Sequence, residues 1–227
     1  MIWLLAPLLP RQAAAVEVFS DIGDVRLFPA EQAVVARASA RRRAEFATGR
    51  ACARAALAGL GMAAVPILPG PRGEPQWPAG IVGSITHCAG YRACAAARLG
   101  DVTVIGIDAE PDRALPHGSL EDVAVPSERG WLTGMTARTP DVSWDRLLFS
   151  AKESAYKAWF PLTRVPLRFR DVEVSLCPDE REFTVRVLKP AAVAGGRSVP
   201  QLHGNWIASK GLVITAVSNE IRPACTC

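Results

Sequence analysis

Two short stretches of this sequence concentrate side chains able to do chemistry. In Phe149–Lys157, FSAKESAYK, one acid and two lysines interrupt residues at helical apolar spacing. In Val104–Pro111, VIGIDAEP, Asp108 and Glu110 close a hydrophobic run. Alternate residues of a strand share a face, so Asp108 and Glu110 point the same way. Two carboxylates that close repel each other unless a cation sits between them. All-oxygen donors with no nearby Cys or His suit Mg2+, which takes one or two protein carboxylates plus substrate phosphates. Mn2+ accepts the same donors. A strand end reaching solvent is the alternative for this pair.

The first stretch gains meaning from its helix. On a helical wheel Trp144, Leu148, Ala151, Ala155 and Trp159 form the centre of a broad apolar sector. Arg146, Ser150, Glu153 and Lys157 fill the narrow polar sector that remains, so the helix is expected to be largely buried. Glu153 and Lys157 are i,i+4 neighbours in the favourable order. A surface ion pair is the common reading of such a pair. On so little exposed face, a cleft-facing acid and base fits better, with Glu153 as metal ligand or general base and Lys157 on a phosphate. Lys152 falls toward the apolar sector and reads as structural or supporting.

A third group lies in Arg41–Leu60, RRRAEFATGRACARAALAGL. Phe46, Ala53, Leu57 and Leu60 share an apolar face, and Arg43, Arg50 and Arg54 line up beside it as a stripe that solvent could serve. Arg42 falls within the apolar face, where a guanidinium needs an anionic partner to offset desolvation; phosphate is a good candidate. His87 follows the strand-like IVGSIT and precedes a Gly turn. It is read either as structural or, with Thr86 beside it, as a phosphate donor.

These groups need a scaffold. Ser39 can cap a helix from about Arg41 to Leu60, with Gly61 as its stop. Residues 66–80 are crowded with Pro, Gly and Arg and read as an irregular loop. Strands are predicted at Ile81–Thr86, Arg92–Arg98 and Val102–Asp108. Residues 111–142 read as a linker holding one short helix. Asp141 or Ser143 caps a second long helix, which Pro161 ends. Further strands are predicted at Asp171–Leu176, Glu182–Leu188, Asn205–Ser209 and Leu212–Val217, the last two turning at Lys210-Gly211. The order of elements repeats although the sequence does not. The expected fold is α+β with two pseudo-symmetric lobes, residues 1–110 and 111–227. Each lobe is a long helix on a small, mainly antiparallel sheet, with the active site in the cleft between them.

The chain of 227 residues, 49% hydrophobic and 21% charged, can bury a real core. Its net charge of +4 favours an anionic partner only mildly and does not argue for nucleic acid. The N-terminal MIWLLAPLLPRQAAA lacks a basic flank and is broken by Pro7 and Pro10, so it reads as a first strand and turn rather than a leader. No segment reads as a membrane span. Six irregularly spaced cysteines suit a reducing cytoplasm, with Cys225 and Cys227 read as a frayed tail rather than a chelate.

Taken together, RRRAEFATGRACAR, RGEPQWPAGIVGSITHCAGYR, IGIDAEP and LLFSAKESAYKAWFPLT resemble the 4′-phosphopantetheinyl transferases of the Sfp type, especially the enterobactin-synthetase branch. The family patterns, G-(I/V)-D with an acid two residues on and (W/F)-x-x-K-E-x-x-x-K, both occur in order. The resemblance covers residues 41–167 and implies a monomer with coenzyme A between two lobes. It implies that Asp108, Glu110 and Glu153 hold Mg2+ with the coenzyme's pyrophosphate. The serine of an acidic apo acyl or peptidyl carrier protein would attack the β-phosphate, leaving adenosine 3′,5′-bisphosphate. Glu153 would take the serine proton, and Lys157 would stabilise charge on the transferred or departing phosphate. Arg42, Arg50 and His87 would bind the nucleotide end, with Thr86 assisting. Relatives commonly carry a basic residue in the loop before the EPxWP text. Here Pro69 stands where that lysine is expected, leaving Arg72 as the basic candidate for coenzyme binding. Two other readings use the same residues: a different Mg2+-dependent phosphohydrolase, or a non-enzymatic anion- or nucleic-acid-binding module built on the arginine helix.

Overall fold

A computed structural model of the chain describes residues 3–188 and 201–220; Cys225 and Cys227 lie outside them. The chain begins with a 3-10 turn at Ala6–Leu8, and the first strand, β1, starts only at Ala14 and ends at Val18. The predicted N-terminal strand is thus displaced. Pro7 and Pro10 cannot donate to a ladder. The amides of Leu4 and Leu5 are instead taken by the buried Glu17 carboxylate, at 2.6 and 3.0 Å.

A short helix α1, Pro29–Val35, leads into α2, Ala40–Gly59. Ser39 caps α2 by accepting from the Arg42 amide at 3.2 Å. Gly61, at φ +73°, turns the chain away at the other end. Strands β2, Ile81–Cys88, and β3, Tyr91–Arg98, join β1 in an antiparallel sheet of order β1-β3-β2. Helix α2 lies on this sheet, packing Cys52, Ala53, Ala56 and Leu57 against Cys94 and Ala96. The small side chains on both surfaces bring the two layers close.

Strand β4, Val102–Pro111, belongs elsewhere. It pairs with the last strand, β8, Leu212–Glu220, at one side of a five-stranded antiparallel sheet. The order is β4-β8-β7-β6-β5, with β5 Val172–Cys177, β6 Glu182–Val187 and β7 Gln201–Ser209. The division between sheets therefore falls in the turn around Gly100-Asp101 and not at residue 110, because β4 finds its ladder partner near the C-terminal end. Strands β7 and β8 turn through Lys210 and Gly211 at φ +53° and +72°, the left-handed pair that a two-residue hairpin needs.

The 111–142 segment is more structured than its composition suggests. It holds two helices, α3 at Ser119–Val123 and α4 at Pro126–Arg138. The Glu128 carboxylate closes the first turn of α4 on the Val125 amide at 2.7 Å. Leu132, Trp131 and Met135 then join the core under the second sheet. The second long helix, α5, spans Trp144–Thr163 and continues past Pro161. That proline costs a hydrogen bond only in the last turn; Arg164, at φ +57°, makes the exit. Ser143 occupies the N-cap position of α5 but makes no side-chain capping bond.

Helix α5 crosses β4 at Gly106, where an added Cβ would lie 2.0 Å from the Ser154 carbonyl oxygen and 2.5 Å from the Ala158 nitrogen. Only glycine permits this approach. The two sheets meet where β2 and β4 run side by side in the same direction without a shared ladder. Ser84 Oγ accepts from the Ile107 amide at 3.1 Å, and Thr86 Oγ1 from the Ala109 amide at 3.2 Å. Each sheet thus carries one long helix, and the α+β architecture with two mainly antiparallel sheets is as expected.

Candidate active site

At the C-terminal end of this seam, β4 presents Asp108, β2 presents Thr86 and α5 presents Lys157. Lys157 Nζ donates to Asp108 Oδ1 at 2.7 Å, to the Ile107 carbonyl at 3.2 Å and to Thr86 Oγ1 at 3.4 Å. Thr86, itself buried, donates to the same Asp108 oxygen at 3.3 Å. The second oxygen, Asp108 Oδ2, is buried with no hydrogen-bond partner in the protein. A buried carboxylate oxygen without a donor is costly, so its position calls for a further positive group.

Glu110 lies two residues along β4, and Arg146 from the first turns of α5 donates to its Oε2 at 3.2 Å. Arg146 also holds the carbonyls of Arg113 and Ala114, at 3.1 and 3.3 Å. This residue was visible in the polar sector of the helix, but its partner was not. Burial, then repulsion from Asp108, pushes the Glu110 carboxyl above its usual range, against the pull of Arg146 and Lys157. Glu153 is half-buried on α5, and burial followed by the Asp108 charge raises it too; Lys157 opposes this, and Glu110 adds to it.

The three acids therefore sense one another. Yet among the described residues no three His, Cys, Asp or Glu side chains are gathered tightly enough to hold an ion by themselves. Lys157 and Arg146 supply the positive charge to Asp108 and Glu110 here. The orphaned Asp108 Oδ2, the oxygen-only donor set and the mutual repulsion of the carboxylates are what a hard divalent cation would relieve. The residues fit Mg2+ or Mn2+.

The arginine helix borders a groove of about 290 Å³ on the first lobe, lined by Arg42, Phe46, Arg50, Pro69 and His87 among others. Arg42 is exposed rather than in the core, because Ser39 starts the helix close by and its side chain extends to His87, Nη1 to Nε2 at 2.8 Å. Desolvation, then the positive Arg42, lowers His87 below its usual value. Arg50 is buried: its Nε donates to the Ile67 carbonyl at 2.6 Å, and its guanidinium stacks 4.1 Å over Phe46. Desolvation brings it down to about 10. Arg54 is not a solvated stripe residue; it pairs with the fully buried Glu31 at 3.1 Å.

Gly73, Pro75 and Ile85 line both this groove and a second cavity of about 210 Å³. The second cavity is bounded by Arg72, Ser84, Glu153, Tyr156 and Lys157. Arg72 thus stands beside the α5 residues, its guanidinium 5.9 Å from the Phe160 ring centre, and Pro69 beside Arg42 and Arg50. The 66–80 loop that carries them is pinned by a bridge between Pro69 and Pro75. The groove and the cavity thus adjoin, and between them they present Arg42, Arg50, Arg72 and Lys157, cationic groups suited to a phosphorylated molecule. Among the described residues no helix is long and apolar enough to cross a membrane.

Comparison with known proteins gives the family. Residues 30–97 match the 4′-phosphopantetheinyl transferase N-terminal domain, and residues 104–215 match the 4′-phosphopantetheinyl transferase superfamily. The two matches divide at the Gly100-Asp101 turn that separates the sheets. The chain is 53% identical over 218 residues to the 4′-phosphopantetheinyl transferase Svp of Streptomyces mobaraensis, covering 95% of this chain and 89% of the relative. It is 43% identical to the 4′-phosphopantetheinyl transferase PptT of Mycobacterium tuberculosis, over 94% of this chain and 97% of the relative. It is 35% identical to enterobactin synthase component D of Salmonella typhimurium, over 80% of this chain and 74% of the relative. The chain is therefore an enzyme of the 4′-phosphopantetheinyl transferase family.

Proposed function

We propose that this enzyme transfers the 4′-phosphopantetheine arm of coenzyme A to a serine of an apo acyl or peptidyl carrier protein. The products are the holo carrier and adenosine 3′,5′-bisphosphate. The observation that carries this reading is the meeting of Lys157, Asp108 and Thr86, with Lys157 lining a cavity that adjoins the groove of Arg42, Arg50 and His87. The nucleotide end lies in that groove, with Arg42 and His87 on the 3′-phosphate, Arg50 fixing the groove wall and Arg72 reaching from the loop.

Asp108, Glu110 and Glu153 would hold Mg2+, or Mn2+, which would supply positive charge to the pyrophosphate. Glu153, its carboxyl raised by burial, accepts the proton of the serine hydroxyl. The serine oxygen forms a bond to the β-phosphorus, and the bond from that phosphorus to the bridging oxygen breaks. Lys157 offsets the charge left on the departing phosphate, and Thr86 keeps the Asp108 carboxylate oriented toward it. The first lobe thereby serves the nucleotide and the second the chemistry. The enzyme works as a monomer in the cytoplasm.

The test combines purified protein, coenzyme A, Mg2+ and apo carriers of several types, and weighs each carrier intact. A gain of one phosphopantetheine is expected, lost on chelation of the metal. Absence of any gain across fatty-acid, polyketide and peptide-synthetase carriers would overturn the proposal. Glu153→Gln should abolish transfer while calorimetry still records coenzyme binding; surviving activity would remove Glu153 as the base.

A further inference from the structure

Glu153 and Tyr156 stand on a ridge between two hollows. On one side is the cavity of Arg72, Ser84 and Lys157 already described. On the other is a separate open pocket of about 520 Å³, walled by Glu153 and Tyr156 and by the chain from Leu167 to Val172. Lys152 fixes that second wall from beneath. Its buried ammonium donates to the carbonyls of Val123, Phe169 and Val172 at 2.9, 2.9 and 3.2 Å, and to Glu128 at 2.7 Å. The other oxygen of Glu128 accepts from the Val174 amide at 2.6 Å. A buried polar network satisfied at so many points holds one arrangement.

On this fixed base the exit from α5 is basic and partly apolar. Arg168 and Arg170 are exposed, and neither side chain has an ion-pair or hydrogen-bond partner among the described residues. Val165 leaves 40% of its surface open. Arg164, in contrast, is paired with Glu74 at 3.0 Å. The acids of the same pocket are Glu153, Asp122 on α3 and Asp171, whose carboxylate accepts from the Arg168 amide at 3.0 Å.

We propose that the loop of residues 164–171 is the docking surface for the protein substrate and receives an acidic patch beside the acceptor serine. This rests on the reading that the acceptor is a serine-bearing protein. In phosphoryl transfer the attacking and leaving oxygens lie roughly in line with phosphorus between them. The leaving nucleotide occupies the Arg42–His87 side, so the hydroxyl must arrive across Glu153 from the opposite hollow. The first surface it meets there is this loop. Unpaired guanidiniums beside exposed aliphatic surface suit a carboxylate-bearing partner, since Arg binds carboxylate through two parallel hydrogen bonds and is enriched at interfaces.

The test reverses both charges, Arg168→Glu with Arg170→Glu, in the full chain, using an acidic apo carrier that the wild-type enzyme modifies. The carrier KM is expected to rise about tenfold or more and to lose most of its salt dependence. Coenzyme A KM, kcat and the thermal midpoint should stay at wild-type values. An unchanged carrier KM would overturn the proposal. So would a rise in coenzyme A KM alone, which would give the arginines to the coenzyme instead. If the wild-type enzyme modified no carrier, the functional reading itself would fail and take the docking surface with it.

Discussion

Lys157 Nζ lies 2.7 Å from Asp108 Oδ1, joining α5 to β4 across 49 residues of sequence. The lysine is the main neutraliser of a carboxylate whose other oxygen is buried and unpartnered. Lys157→Met leaves that carboxylate without its cation and, in the proposed mechanism, the departing phosphate without a donor. Turnover is expected to fall by about 10²–10³, the loss typical of removing one transition-state donor. Steady-state kcat with intact-mass detection measures this, and a variant within about twofold of wild type would show that Lys157 is not at the chemistry.

His87 gives a pH dependence. In the free protein desolvation, then the positive Arg42, lower it below its usual value. A phosphate bound between His87 and Arg42 stabilises the charged ring and raises its pKa. Binding then takes up a proton, and coenzyme A KM should fall as pH drops from about 7 toward the lowered value of the free enzyme. His87→Gln should flatten this slope. A wild-type profile already flat across the range would place the phosphate elsewhere.

Lys152 carries a stability prediction. Its side chain and that of Glu128 are both fully buried, 2.7 Å apart. Lys152→Met strands the Glu128 carboxylate and removes the donor to three carbonyls. The cost should be about 3–5 kcal/mol, read from urea unfolding. Glu128→Gln should also lower stability, because a glutamine keeps one acceptor oxygen where Glu128 uses one on the Val125 amide and the other on the Val174 amide, and it takes the counter-charge from Lys152.

Gly106 sets how deeply α5 seats on β4. Gly106→Ala places a methyl 2.0 Å from the Ser154 carbonyl oxygen, which cannot give without moving the helix. The expected loss is about 1–3 kcal/mol, toward the upper end. Activity should fall further than stability accounts for, because Glu153 and Lys157 ride on the displaced helix. Thermal unfolding and kcat measured on the same preparation separate the two.

The two chemistry-bearing stretches were legible because each obeys a strong local rule. Strand alternation put Asp108 and Glu110 on one face, and the narrow polar sector isolated Glu153 and Lys157. What stayed hidden depends on partners far away in sequence. Strand β4 reads locally as a continuation of the strands before it, since its pairing with β8, marked by Thr103 bonding to the Asn219 carbonyl 116 residues on, leaves no local trace. Helix α4 has few apolar residues and leaves little periodic trace, which also hides Glu128, the partner that explains Lys152. Arg42 misled for a related reason: one turn from the cap, a long side chain can leave the face that its wheel position suggests.

The seam between the sheets has a consequence for solubility. Strand β2 closes one end of the first sheet and β4 one end of the second. Each would otherwise offer a free backbone edge to other chains, the usual template for strand-to-strand aggregation. Here the Ser84 and Thr86 hydroxyls dock the two edges against each other. Either half produced alone would uncover the edge that its partner protects, so the chain resists self-association only while both halves stay together.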